Sequence, residues 1–312
     1  MKRFDKHHQR IPGNGPAFFR LIGFCLVLVT TLVALPAVSL AASDDSVSPR
    51  DDGGRHLFLA PLSMPALTDE ALLDSLQRTA FEYFWNEANP VNGLIRDRSQ
   101  PGSPCSIAAQ GFGITAICIA IEHGWVSRQE GLARIRLGME TLWNGEQGPE
   151  EFNRNGYKGL FYHFLDINSG VRVWSSELST IDTALLMAGV LDARQYFDGA
   201  DPAEQEIRAL ADSLYLRVDW AWTVARPPLI SHGWKPESGF LNNDWRGYNE
   251  AMILYILALG SPTHPVTPDA WTSWVGGYFW GTQYGYSYLI FPPLFGHQYS
   301  HCWIDFRDIQ DV

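Results

Sequence analysis

Several signatures are missing from this chain of 312 residues. It has no GxGxxG, P-loop or GxSxG motif, so nucleotide-dependent and elbow-type serine mechanisms have no footing. Cysteine is scarce, with four residues, no CxxC and no Cys/His spacing of the kind that holds zinc. Cys105, Cys118 and Cys302 are expected as buried thiols rather than a disulfide scaffold. Charge is thin as well, at 18% of residues. Only one stretch, Leu21 to Val38, approaches the apolar length of a membrane span.

That stretch follows the basic residues Lys2, Arg3, Lys6, Arg10 and Arg20, is broken by Pro36, and leads into "SLAAS" at 39–43. The pattern predicts a secretory signal peptide over 1–42, cut near Ala41 or Ala42, and hence a periplasmic or secreted protein without stable membrane association. Residues 43–66, rich in Ser, Asp, Gly and Pro, read as a disordered linker, with one domain over 67–312. Losing five basic residues and Asp5 moves the formal charge from −11 to −15. So acidic a chain is not expected to bind nucleic acid or anionic membrane, and it suits a neutral polymer better than a polyanion.

What is abundant is aromatic: 13% of residues, with 12 Trp. Flat rings serve a core, and they also stack on the C–H faces of sugars.

Along the domain a pattern recurs. Amphipathic helices are expected over 68–88, 127–144, 202–218 and 267–280, the first capped by Thr68 and the second by Ser127. Each leads through an aromatic, charged loop towards the next element. Helices apolar on all sides follow at 106–124, 176–197 and from Ala251 to Leu259. Within the loops, 159–174, centred on "DINSG", and 229–241 read as hairpins. A period of roughly 60 to 75 residues marks a stacked or closed helical array. Helices without a polar face need cover on every side and form an inner layer, the amphipathic ones an outer layer. The fold expected is all-α: an (α/α)6 toroid of paired helices with short β-hairpins in the rim loops. Roughly four outer and three inner helices are visible where six pairs would need twelve, so the toroid is expected to be partial and the chain a truncated version of a longer protein.

Four blocks, "FEYFWNEANPVNGLIRDRS", "YKGLFYHFLDINSGVRVWSSELSTIDTALLMAGVL", "WRGYNEAMILYILALGSPTHP" and "PPLFGHQYSHCWIDFRDIQD", together resemble the bacterial glucoamylase-like family. That family includes exported endo-β-1,2-glucanases and domains of cyclic β-1,2-glucan synthases. The resemblance spans roughly residues 68 to 312. It implies an (α/α)6 barrel, an inverting glucan hydrolase, and no metal or organic cofactor.

Glycoside hydrolysis normally needs two carboxyl groups flanking the bond, one to protonate the leaving oxygen and one either to activate water, roughly 6.5–9.5 Å apart with inversion, or to attack directly, about 5–5.5 Å apart with retention. Glu250, expected in the first turn of an apolar helix, is the candidate acid. Glu177, placed in the first turn of helix 176–197 with Ser175 or Ser176 as cap, and Asp182, expected inside that helix, are the candidates for base or positioner. For all three, simple charge complementation or structural support is the competing reading. Tyr248 and the loop residues Arg96, Asp97, His163, Asp166, Trp174, His232, Trp234, His297, Tyr299, His301, Trp303 and Asp305 are candidate substrate contacts. His297 and His301 stand four apart, a spacing that holds a metal on a helix, but no third ligand is evident and no metal is expected. The reading is a monomeric, exported glycoside hydrolase acting on a neutral β-glucan, β-1,2-glucan by family implication. A polysaccharide lyase, built on Tyr248, Arg246, His297 and Tyr299, and a non-catalytic glucan-binding or inactive truncated member are the alternatives.

Overall fold

The computed structural model describes residues 68–309. The signal peptide and linker expected over 1–42 and 43–66 lie outside the described residues. Seven α-helices are described: α1 (Asp69–Asn86), α2 (Ile107–Glu122), α3 (Arg128–Asn144), α4 (Thr180–Tyr196), α5 (Pro202–Leu216), α6 (Met252–Gly260) and α7 (Pro268–Val275). None is long and apolar enough to cross a membrane.

The helices sort into two layers by burial. In α2 every residue from Phe112 to Ala120 is buried, and α4 is buried from Thr180 to Val190 except at Ile181. By contrast α3 buries only Gly131, Leu132, Ile135, Gly138, Met139 and Leu142, the stripe that helical spacing provides. α5 buries Glu204, Ile207, Ala211 and Leu214 in the same way. The inner helices run α2–α4–α6, each packed on the next. α2 and α4 approach so closely that a Cβ on Gly111 would sit 2.2 Å from the Leu185 carbonyl oxygen. One on Gly189 would sit 2.1 Å from the Gly111 carbonyl oxygen. Glycine at both positions is what lets two backbones touch.

Short antiparallel strands stitch together the loops that lead into the inner helices. β1 (Cys105–Ser106), just before α2, pairs with β4 (Phe164–Leu165). β5 (Leu178–Ser179), just before α4, pairs with β6 (Gly233–Lys235), which pairs in turn with β7 (Gly239–Phe240). β2 (Gly156–Tyr157) pairs with β3 (Leu160–Phe161). Across "DINSG", Leu165 bridges Arg172 and the Gly170 N–H donates to the Asp166 carbonyl at 2.9 Å. The N-termini of α2 and α4 therefore meet at one end. The approach to α6 joins them there, where Trp245 Nε1 donates to Thr180 Oγ1 at 3.0 Å.

Three boundaries differ from expectation. Helix 176–197 begins at Thr180, and its cap is Ser179, not Ser175 or Ser176. Strand pairing of Leu178 and Ser179 with Trp234 and Gly233 holds the preceding residues extended, so Glu177 precedes the helix instead of lying in its first turn. Asp182 occupies that first turn, not the helix interior. Glu250 likewise lies one residue ahead of the N-cap of α6, Ala251, whose N–H is bound by Asn249 Oδ1 at 3.0 Å. The helix expected over 267–280 stops at Val275, because Gly276 and Gly277 turn the chain into an exposed hairpin, β8 (Trp280–Gln283) with β9 (Tyr286–Leu289).

The C-terminal stretch crosses back over the inner layer. Ser300 Oγ accepts from the Ile253 N–H of α6 at 3.2 Å, and Trp303 Nε1 donates to Thr115 Oγ1 of α2 at 2.9 Å. "HQYSH" forms two short 3₁₀ turns, Leu294–His297 and Tyr299–Cys302, instead of the α-helix a histidine pair would need. Cys105 and Cys118 are buried free thiols, and Cys302 is buried as well.

Candidate active site

Three of the expected residues meet at the mouth of α4. His163 Nδ1 lies 3.0 Å from Glu177 Oε1, and its Nε2 lies 3.6 Å from Asp182 Oδ2. Backbone pairing sets this up: the His163 N–H donates to the Glu177 carbonyl at 2.9 Å, and its own carbonyl accepts from Ile107 at 3.2 Å. The Asp182 N–H donates to Ser179 Oγ at 3.2 Å, and the Ser179 hydroxyl donates to Asp182 Oδ2.

The carboxyl groups differ in character. The hydrogen bond from His163 lowers the Glu177 pKa against the opposing effect of burial, and Lys235 assists. Burial raises that of Asp182, with Glu177 and Asp97 adding repulsion while His163 and Ser179 oppose. Burial alone would depress His163, but Glu177, Asp182 and Asp97 together outweigh it, and the imidazole is raised.

Glu250 is half-buried and its pKa is raised, first by burial and then by the charge of Asp182. Its Oε2 is buried and has no hydrogen-bond partner among the described residues. Burial pushes the Tyr299 phenol up to about 12, and both Glu250 and Asp182 contribute. Glu250, Asp182 and Tyr299 thus share one electrostatic neighbourhood, and His163 links it to Glu177. A carboxyl inclined to ionise, a carboxyl inclined to hold its proton and an imidazole inclined to take one up are the ingredients of acid–base chemistry on a neutral substrate.

A groove of about 390 Å³ opens beside this cluster, lined by Asp97, Arg98, Phe164 and Trp174 among others. The His163 ring stacks on Phe164 at 3.9 Å, and Phe164 meets Trp174 edge-on at 5.6 Å. Trp174 is 74% exposed at the open end. On the α6 side the Tyr248 ring lies 4.9 Å from His297.

Other expected contacts are occupied elsewhere. The Arg96 side chain faces Glu87 at 3.9 Å. Asp166 accepts from Asn168, Ser169 and the Ser169 hydroxyl, closing its own turn. His232 stacks on Trp245 at 3.9 Å, and burial lowers its pKa. Trp234 packs against Tyr157 and Trp222. The Trp303 N–H is taken by Thr115. His301 packs on Phe306, and Asp305 pairs with Arg307 at 2.6 Å. For lyase chemistry, Arg246 is exposed and burial raises the Tyr248 phenol, which makes it a poorer base. Among the described residues no group of three or more side chains has the make-up of a metal site.

Two contributors escaped the sequence reading. Ser179 orients Asp182, and its Ser-x-x-Asp capping spacing was the available signal. Arg172, with a side chain only 1% exposed, grips Glu237 through Nη1 at 2.6 Å and Nη2 at 3.0 Å. It also donates to the Ser176 carbonyl next to Glu177 at 2.7 Å.

Residues 242–312 match the family model described as "Putative glucoamylase". A curated relative from Parabacteroides distasonis, an exo beta-1,2-glucooligosaccharide sophorohydrolase (non-reducing end), is 33% identical over 217 residues, covering 66% of this chain and 29% of that protein. Among solved structures, a "putative glucoamylase" from Bacteroides fragilis is 32% identical with a TM-score of 0.67, covering 77% of this chain and 60% of that one. An endo-beta-1,2-glucanase from Chitinophaga pinensis, in complex with sophorotriose and glucose, is 26% identical with a TM-score of 0.64, covering 72% and 56%. The chain thus spans 29% of the curated relative's length and little more than half of these solved structures.

Proposed function

The chain belongs to the glucoamylase-like family, and from that premise we propose that it is an exported, monomeric glycoside hydrolase of β-1,2-glucan, built on the (α/α)6 toroid plan. The observation that carries the reading is the carboxyl cluster, in which His163 joins Glu177 to Asp182 and the charge of Asp182 reaches a half-buried Glu250. Two relatives are named for β-1,2-glucan hydrolysis, and this chain carries the acid–base equipment that such a reaction needs.

Glu250 is the general acid. Burial favours its protonated form, the form that donates to the glycosidic oxygen. Glu177 is the general base. His163 keeps it ionised, so it draws the proton from a water molecule. The water oxygen bonds to the anomeric carbon, the bond to the leaving oxygen breaks, and Glu250 supplies the proton that oxygen needs. Glu177 ends protonated and Glu250 ionised, and solvent restores both. Asp182 is a positioning residue that acts through His163. Trp174 and Phe164 stack on sugar rings along the groove. Attack by water in a single displacement inverts the anomeric configuration.

The deciding experiment incubates the purified chain with β-1,2-, β-1,3- and α-1,4-glucans and with a uronan. Oligosaccharides released from the β-1,2-glucan alone support the reading. No release from any glucan, or an ultraviolet-absorbing product from a uronan, removes it.

A further inference from the structure

The hairpin β8–β9 carries aromatic rings that the carboxyl cluster does not use. Directly opposed residues of an antiparallel pair share a face. Its register, Gly281 against Tyr288 and Gln283 against Tyr286, puts these four on one face and Trp280 with Leu289 on the other. Tyr286 is 75% exposed and Tyr288 38%. The Tyr288 hydroxyl donates to Gln283 Oε1 at 2.6 Å, which sets the ring and the amide relative to each other. At Gly281 the Ile290 side chain covers the backbone, since a Cβ there would sit 2.1 Å from Ile290 Cδ1.

A cavity of about 530 Å³ borders the hairpin, touched by Gln283 and Tyr288 of this face, by Thr282 and Leu289 of the other, and by Phe291 and His297 beyond it. No carboxylate, ammonium or guanidinium lines it. His297 is held through Nε2 by the Phe291 carbonyl at 3.1 Å, and its ring packs on Tyr248, two residues before Glu250. The cavity therefore runs from the hairpin towards the proposed acid.

Exposed aromatic rings grouped on one face are a common mark of a binding site. Phenols and an amide without charge match a neutral, polyhydroxylated chain: rings cover C–H faces while hydroxyl and amide groups exchange hydrogen bonds with sugar hydroxyls. We propose that the hairpin face formed by Gln283, Tyr286 and Tyr288 is an outer binding platform for a neutral glucan chain, which it guides past His297 towards Glu250. The proposal rests on the glucan reading above and adds a site outside the carboxyl cluster.

The test is binding by the full chain, measured by calorimetry with β-1,2-glucan polymer and with the β-1,2-linked disaccharide. Tyr286→Ala and Tyr288→Ala should each weaken polymer binding by about tenfold, the scale of one lost aromatic contact. They should leave disaccharide binding unmoved, because a short ligand does not reach the platform. Trp280→Ala, on the opposite face, should bind polymer like the parent. Circular dichroism and thermal melts check that each variant is folded. Parental polymer binding in both tyrosine variants overturns the platform, as does loss confined to Trp280→Ala. A change in oligomeric state without a change in glucan binding makes the face a contact between copies and overturns it too. Hydrolysis without hairpin dependence sinks the platform alone, and hairpin-dependent binding without hydrolysis sinks the hydrolase reading alone. Absence of all glucan binding removes both.

Discussion

Glu177 and Asp182 stand on opposite sides of a single imidazole, 3.0 Å from Nδ1 and 3.6 Å from Nε2 of His163. The ring is shared unequally. Glu177 takes the hydrogen bond and is driven towards ionisation, whereas Asp182, buried and bound by Ser179, is driven towards protonation. Two carboxyl groups of ordinary chemistry thereby acquire different roles from their surroundings.

This pair predicts a stability window. The lowered pKa of Glu177 means that its contribution is present above its unfolded pKa of about 4.3 and is lost as pH falls through the folded value. The raised pKa of His163 means that its contribution is full below about 6.5 and is lost as pH rises through the folded value. The melting-temperature difference between parent and His163→Gln should therefore peak between about pH 4.3 and about pH 6.5. A flat difference across that range would break the proposed linkage.

Glu250→Gln should separate function from stability. Glycan release should fall by about 10²–10⁴, the scale of general acid catalysis. At neutral pH, however, the variant should melt at or above the parental temperature, because a carboxylate whose folded pKa is raised costs the folded state stability when ionised. Activity assays and melts on the same preparation check both signs. A clear fall in melting temperature would mean that Glu250 is a structural residue.

Much of this architecture could be read from the chain alone. Ser127 with Glu130 makes a capping box visible as text, and helix α3 starts where it says. Inner and outer layers followed from whether the apolar residues form a stripe or surround the helix. The start of α4 could not be read so well, because "SSELST" offers several capping hydroxyls. Pairing of Leu178 with Trp234, 56 positions away, decides among them. The same limit applies to the site. Glu177, Asp182 and Glu250 stood out as acids beside apolar helices, but the role of His163 as their link depends on a strand contact between distant loops. Nothing in the sequence near Trp303 names Thr115 as the partner of its indole N–H.

Gly189→Ala should destabilise the fold by about 1–3 kcal/mol, the cost of overpacking, since its new methyl would meet the Gly111 backbone. Backbone offers no rotamer escape. Chemical denaturation measures the loss, and a neutral result would mean that α2 and α4 lie further apart than described.

Arg172 and Glu237, 65 residues apart, hold the segment before Glu177 against the β6–β7 turn. Arg172→Met should cost about 1–3 kcal/mol, below the range for fully buried pairs because Glu237 retains access to water. Glu237→Gln should cost less, and the double variant should cost less than the sum of the two. Strict additivity in that cycle would show that the two side chains do not support each other.

The bond between Trp303 and Thr115 spans 188 positions. The surface of α2 around Phe112 must therefore wait, bare, while the ribosome adds nearly two hundred further residues. Only then do Tyr299 and Trp303 arrive to cover it. During synthesis that greasy strip is open to unintended neighbours. Closure across so long an interval carries a large loop entropy, so the face bearing Tyr299 should be among the last to take shape as the polypeptide matures.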